Sequence, residues 1–273
     1  MARSVRVSAR NARFQQWQAL LTNRQKRQRA GEFLVHGVRP ITLAVEHGWP
    51  LRALIFDAER SLSQWAENVL QEVAAEHVAM STELLAELGE KADEPPELLA
   101  VAEIPADDYQ RVHAGENFLG IAFDRPTSPG NIGTLIRSAD AFGARVVIVT
   151  GHAADPYDPK SVRASTGSIF AIPVIREASA QQTKTWLASL EPKVTVAGTD
   201  ENGDVDLADH DMTGPALIVV GNETTGLSAG WREACDVMAR IPITGSASSL
   251  NAASAGTIAL YEAARQRTVI STG

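Results

Sequence analysis

Three stretches in the second half of the chain combine small residues, amide and hydroxyl side chains and single charged groups, at spacings suited to gripping a polar ligand and acting on it. The last, from Ile241 to Glu262, reads as a strand end, a loop of small residues and a helix. Ser248, Ser249 and Asn251 stand where side-chain oxygens cap a helix by accepting from its free N–H groups. Such a loop presents backbone donors to a ligand at a helix N-terminus. The helix shows an apolar face through Ile258, Ala259 and Tyr261 and is expected to end near Arg265 and Arg267, cations suited to its negative end. The middle stretch, Leu217 to Ser228, runs from strand residues into Gly221-Asn-Glu-Thr-Thr-Gly226, a tight turn whose glycines permit positive φ and close approach of a ligand, and then into a helix capped by Ser228. Glu223 could accept from a ligand hydroxyl or amine, or lock the third loop through Asn251 and Ser249; the locking role is favoured.

The earliest stretch, Ser128 to Gly143, puts Asn131 where an N-cap belongs. It repeats Ile132, Leu135, Ile136, Ala139 and Phe142 at helical spacing as a buried stripe, and it stops at Gly143. Arg137 lies about 140° around the helix from Ile132, so it leaves that stripe. Gly133, one turn before it on the same face, clears space beside the guanidinium.

The elements that must position these stretches are legible as alternation. From Phe118 onward, strands are expected at 118–123, 145–150, 171–175, 193–198, 216–221 and 237–241, and helices at 131–142, 160–166, 180–189, 228–235 and 251–266. A parallel sheet covered by helices follows. Upstream, a short helix at 14–21 precedes a polar, cationic run at 24–30. Strands at 32–37, 51–56, 77–80 and 98–102 then alternate with helices at 38–47, 62–75 and 82–88, which is a smaller α/β unit. The expected organisation is a basic N-terminal arm and first helix at 1–30, a small α/β domain at 31–105, a polar linker at 106–117 and the larger domain at 118–273.

Composition narrows the function. The 273 residues are 44% hydrophobic and 21% charged, ordinary for a globular protein, and no apolar run reaches the ~18 residues of a membrane span. The single cysteine, Cys235, excludes an internal disulfide, and the six scattered histidines show no metal-ligand spacing, so no metal is expected. The net charge of −8 hides an asymmetry: residues 1–31 hold eight cations and no acid, so the remaining seventeen cations face all 33 acids. A basic segment on an acidic body suits a polyanion, and Arg24, Lys26, Arg27 and Arg29 are its candidate contacts. A transit peptide is the rival reading, disfavoured because Gln15, Trp17, Gln18 and Leu20 continue directly into patterned sequence. No apolar core of a secretory signal follows the first arginines, which leaves the cytoplasm as the default.

In their order and spacing the three stretches resemble the signature motifs of the SpoU (TrmH) family of RNA ribose 2′-O-methyltransferases, in the SPOUT superfamily, over roughly 118–267. Gly31-Glu-Phe-Leu-Val-His-Gly-Val-Arg-Pro-Ile41, with the helix and buried strand after it, resembles the L30e-like RNA-binding domain that precedes many such catalytic domains. The resemblance implies a deep trefoil knot in the C-terminal domain, S-adenosylmethionine as methyl donor, and a homodimer whose active site draws on both subunits. It makes Arg137, Asn131, Glu223, Ser249 and Asn251 the active-site set. It wraps the cofactor with Thr199, Gly221, Asn222, Ile241 and Leu250, and it gives Arg163, within Ser161–Pro173, to RNA. Family accounts cast the arginine as the base, helped by phosphate. A guanidinium is too weak an acid to shed its proton easily, so the role favoured here is to stabilise the developing alkoxide and clamp a phosphate. Asn251-Ala-Ala-Ser254 departs from the family's Val-rich helix start without a large change in size.

A dinucleotide-type Gly-x-Gly-x-x-Gly turn is absent from Gly130-Asn-Ile-Gly133, which disfavours a Rossmann enzyme. Methylation of a base, as in other SPOUT families, is disfavoured because the Asn-x-Gly-x-x-x-Arg pattern of Asn131, Gly133 and Arg137 resembles that of the ribose methylators. The extra domain favours 23S ribosomal RNA as substrate, with transfer RNA the runner-up and a non-catalytic RNA-binding protein the alternative.

Overall fold

The computed structural model describes residues 5–90 and 93–271. It divides into two compact units, one comprising the chain up to Pro105 together with Tyr157–Ala171, the other Ala106–Pro156 together with Ile172 onward.

The first unit contains β1 (Val5–Val7), α1 (Ala12–Thr22), α2 (Arg24–Ala30), β2 (Glu32–His36), α3 (Val38–Glu46), β3 (Leu51–Asp57), α4 (Gln64–Glu72), β4 (Glu76–Met80), α5 (Thr82–Gly89) and β5 (Leu98–Glu103). Its sheet has the order β1-β4-β3-β5-β2, with β5 antiparallel to both neighbours and the other pairs parallel. Phe14, Trp17 and Leu20 of α1 share a core with Leu34, Ile55, Val78 and Leu99 of the strands.

The basic N-terminal segment is built into regular structure. The run Arg24–Ala30 is helical. Asn23 accepts from the Lys26 N–H at its start, Gly31 closes it at φ 67, and Arg, Gln and Lys are good helix formers. The acid-free N-terminus is also no free arm. β1 pairs with β4, Arg10 is bonded to Glu83 and Glu87, and Arg13 is bonded to Glu76 with its guanidinium 4.8 Å from the Trp17 ring centre. Arg3 lies outside the described residues.

The second unit begins with β6 (Leu119–Asp124), α6 (Pro129–Ala141) and β7 (Val146–Thr150). The next helix, α7 (Pro159–Ser165), falls in the range expected for the larger domain, yet its segment is built into the first unit. Aromatic packing accounts for this: Tyr157 lies 5.0 Å from Phe33, and Phe170 stacks on Phe33 at 6.1 Å. The second unit resumes with β8 (Val174–Glu177), α8 (Ala180–Leu187), β9 (Thr195–Thr199), β10 (Val205–Asp206), β11 (Ala216–Val220), α9 (Ala229–Arg232), β12 (Val237–Arg240) and α10 (Ala252–Ser271).

Its seven strands are all parallel, in the order β10-β12-β9-β11-β6-β7-β8. Parallel strands covered on both faces need continuous apolar sequence, and Ala216–Val220 and Val146–Thr150 are buried throughout. The ends of β6, β9 and β11 lie side by side at the centre of the sheet, where open α/β sheets place their ligand sites. α10 closes on α6 through Gly256, where a Cβ would meet Leu135 Cδ1 at 2.6 Å, and through a 2.7 Å hydrogen bond between the Ser138 and Thr257 hydroxyls. It also runs past the expected end. Arg265 pairs with Glu262, and Arg267 donates to the carbonyls of Met212, Asn117, Phe118 and Gly214.

Candidate active site

β11 ends at Val220 and the chain turns at once. A Cβ on Gly221 would lie 2.5 Å from the Gly226 carbonyl carbon and 2.6 Å from the Leu227 nitrogen, so only glycine allows the turn to fold back on itself. Gly226 closes it at φ 61. Asn222 and Gly226 exchange two backbone hydrogen bonds at 3.0 Å, and the Asn222 side chain accepts from the Thr224 and Thr225 N–H groups. The result is a loop held by its own hydrogen bonds, and it lines a cavity of about 410 Å³.

That cavity unites the separated stretches. It is lined by Thr199 and Asp200 from the end of β9, by the Gly221–Gly226 turn, by Ile241, Ile243 and Ser248–Leu250 after β12, and by Ala252 and Ala255 of α10. All five residues expected to hold the cofactor, Thr199, Gly221, Asn222, Ile241 and Leu250, are among them. Ile241, Ile243 and Leu250 offer apolar contact for a flat ring. Asp200, Glu201 and Glu223 outnumber Arg232, so the lining is net negative and suits a ligand bearing extra positive charge. A sulfonium nucleoside joined to an amino acid has that make-up.

Glu223 anchors the turn to α6. It accepts from the Thr127 N–H (3.3 Å) and hydroxyl (3.2 Å) and from Asn131 Nδ2 (3.0 Å), while Asn251 Nδ2 donates to Asn131 Oδ1 (3.3 Å). Burial pushes the Glu223 carboxyl up, but the bonds from Asn131, from its own N–H and from Thr127 outweigh it and hold the group below the usual carboxylate range. Glu223 is therefore charged at neutral pH.

Neither partner expected for the locking role, Asn251 or Ser249, bonds Glu223 directly. Glu223 reaches Asn251 through Asn131, and Ser249 lines the cavity without bonding Glu223. Asn131 itself sits third in α6, because Ser128 is the N-cap and Pro129 the first helical residue. Asn251 caps α10 by accepting from the Ser254 N–H. Ser228 makes no side-chain cap, and its N–H instead donates to Asp124.

Arg137 lies on the exposed side of α6 and forms no ion pair or hydrogen bond with any described residue. Arg163 belongs to the first unit and is bonded to Glu90 at 2.6 Å. Of the basic segment, Arg24, Lys26 and Arg29 are exposed. Arg27 is a correction: only 2% exposed, it donates to the carbonyls of Leu20 and Leu21 and to Asp158, so it holds α1, α2 and α7 together and cannot contact RNA. Sequence reasoning missed Thr127, and with it Arg125 and the 2.5 Å Arg232–Asp200 ion pair on the cavity wall. No periodicity or motif marks those residues, because their roles arise from turns meeting across the sheet.

Comparison with known proteins matches residues 119–261 to the SpoU rRNA Methylase family and residues 11–100 to the SpoU L30e-like domain. The chain is 59% identical, over 96% of its own length and 92% of the relative's, to a 23S rRNA (uridine(2479)-2′-O)-methyltransferase of Streptomyces viridochromogenes. It is 32% identical to the 23S rRNA (guanosine-2′-O-)-methyltransferase RlmB of Pseudomonas syringae, over 79% of this chain and 78% of that one. Among solved structures, the SpoU methyltransferase AviRb of Streptomyces viridochromogenes in complex with AdoMet superposes with a TM-score of 0.91 at 60% identity, covering 95% of this chain and 99% of that one. An AdoMet-bound rRNA methyltransferase from Sinorhizobium meliloti gives 0.85 at 30% identity, covering 95% and 97%.

Proposed function

The chain belongs to the SpoU rRNA Methylase family, and from that premise we propose that it methylates the 2′-hydroxyl of a ribose in 23S ribosomal RNA, at a uridine, with S-adenosylmethionine as donor. The observation that carries the reading is the single cavity shared by the Gly221–Gly226 turn and the Ile241–Leu250 segment, bonded through Glu223 and Asn131 to the helix bearing an unpartnered arginine. When bound, the donor supplies an electrophilic methyl group on a sulfonium.

The chain's own residues supply the rest. Thr199, Gly221, Asn222, Ile241 and Leu250 hold the donor, largely by backbone groups and apolar contact. Glu223, Asn131 and Asn251 fix the loop geometry. A ribose hydroxyl gains negative charge as it attacks, and Arg137, charged and free of internal partners, stabilises that charge and clamps an adjacent phosphate. Ser249, at the cavity rim, completes the set. The first unit, with exposed Arg24, Lys26 and Arg29 and with Arg163, holds the RNA.

The homodimer and the knotted passage of the C-terminal segment belong to this proposal. Ile258 and Tyr261, 38% and 53% exposed on α10, support a protein contact there. Cytoplasmic residence follows from the substrate, and no helix among the described residues is long and apolar enough to cross a membrane. The test is incubation with labelled S-adenosylmethionine and unmodified 23S RNA, followed by mapping of the modified nucleotide. One alkali-resistant 2′-O-methyl site is expected; no label in the 23S RNA, or label on a base, would contradict the proposal.

A further inference from the structure

The Gly221–Gly226 turn closes on itself and is also bonded from outside by Arg125. This residue directly follows β6 and adopts a left-handed backbone, φ 53, a conformation that a residue with a Cβ keeps only when its surroundings over-determine it. Gly151 leaves the room it needs, since a Cβ there would lie 2.7 Å from Arg125 Cγ. With the backbone so turned, Arg125 Nη2 donates to the Gly226 carbonyl at 2.8 Å and Nε to Asp124 Oδ2 at 3.1 Å. The Arg125 carbonyl accepts from Asn222 Nδ2 at 2.6 Å. Asp124, buried, also accepts from the Ser228 N–H at 2.7 Å and from the Thr150 hydroxyl at 3.1 Å, so the guanidinium has a fixed base to brace against.

Arg125 thus grips the first and last parts of the turn, while Thr127 and Asn131 hold its middle through Glu223. Among the described residues, the hydrogen bonds that reach the turn from outside come from Arg125, Thr127 and Asn131, between the end of β6 and the first turn of α6, the helix carrying Arg137. We propose that Arg125 is the positioning residue of the methyl-donor site: it holds the turn in its binding shape before the donor arrives and registers the donor cavity against α6. The inference rests on the donor reading of the cavity. A loop ordered in advance does not have to be ordered by its ligand, so the expected benefit is affinity.

Two variants test this. Arg125→Asn keeps a residue that tolerates the left-handed backbone but removes the guanidinium. Arg125→Lys keeps a cation able to make one of the two bonds. Amide hydrogen exchange of Asn222–Leu227 in the ligand-free protein, and titration with S-adenosylhomocysteine, are the readouts. For Arg125→Asn we expect exchange across the turn to rise about tenfold, the dissociation constant to weaken about tenfold or more, and the KM for the donor to rise more than kcat falls, with Tm close to wild type. Arg125→Lys should recover part of the affinity, and carries the same comparison should Arg125→Asn fail to fold. Wild-type affinity and wild-type exchange in Arg125→Asn would overturn the proposal. Absence of binding by the wild-type protein would instead overturn the donor reading, and faster exchange in the variant would tell the two failures apart.

Discussion

Arg27 and Arg137 are the same residue type on two helices, and their surroundings differ in every respect. Arg27 belongs to a stretch of eight cations without an acid; Arg137 is the lone cation of α6. The crowded region spends much of its charge internally: Arg10 and Arg13 are bonded to glutamates, and Arg27 is buried against two carbonyls and Asp158. The isolated arginine is exposed and forms no ion pair or hydrogen bond with any described residue. Charge density in the sequence therefore located a structural brace, whereas the arginine proposed for catalysis stood alone. An arginine with its donors already satisfied has none to offer a phosphate or an alkoxide, whatever the local net charge.

The largest effect should separate these two residues by what they control. Arg137→Ala is expected to lower kcat about 10²–10³-fold, the cost of removing one charge-stabilising donor, with Tm unchanged. Steady-state methylation with a parallel melting curve checks it, and near-normal turnover would remove Arg137 from the chemistry. Arg27→Ala should do the reverse. Losing a buried cation that three acceptors depend on is expected to cost about 2–4 kcal/mol of stability, measured by urea unfolding, with kcat per folded molecule preserved. A stable Arg27→Ala protein with weakened RNA binding would reverse the comparison and return the residue to the RNA surface.

Much of this architecture was open to reading because its signals are local. Continuous apolar runs such as Ala216–Val220 announced buried parallel strands, and the stripe Ile132–Leu135–Ile136–Ala139 announced α6. The five residues expected to hold the cofactor were reached through motif resemblance, and all of them line one cavity. What escaped depended on contacts between distant segments. Helix α2 was read only as a polar, cationic run because charge obscured good helix formers between an Asn cap and a Gly stop. The two-residue strand β10 exists only through its pairing with β12. Tyr157–Ala171 joined the first unit through rings on Phe33, which no spacing within the segment encodes. The Ser128-Pro129 cap of α6 was legible, and the more conspicuous Asn131 drew attention from it. Arg125 gave no sign, since a positive φ at a non-glycine residue leaves no trace in composition.

A crystal structure of the protein with S-adenosylhomocysteine tests the central claim most directly. The account predicts the ligand between the Gly221–Gly226 turn and the Ile241–Leu250 segment, its ring against Ile241 and Leu250, with Arg137 on the open side where a ribose can enter. A ligand bound in any other part of the molecule, or a complex in which Arg137 is cut off from it, would contradict the account.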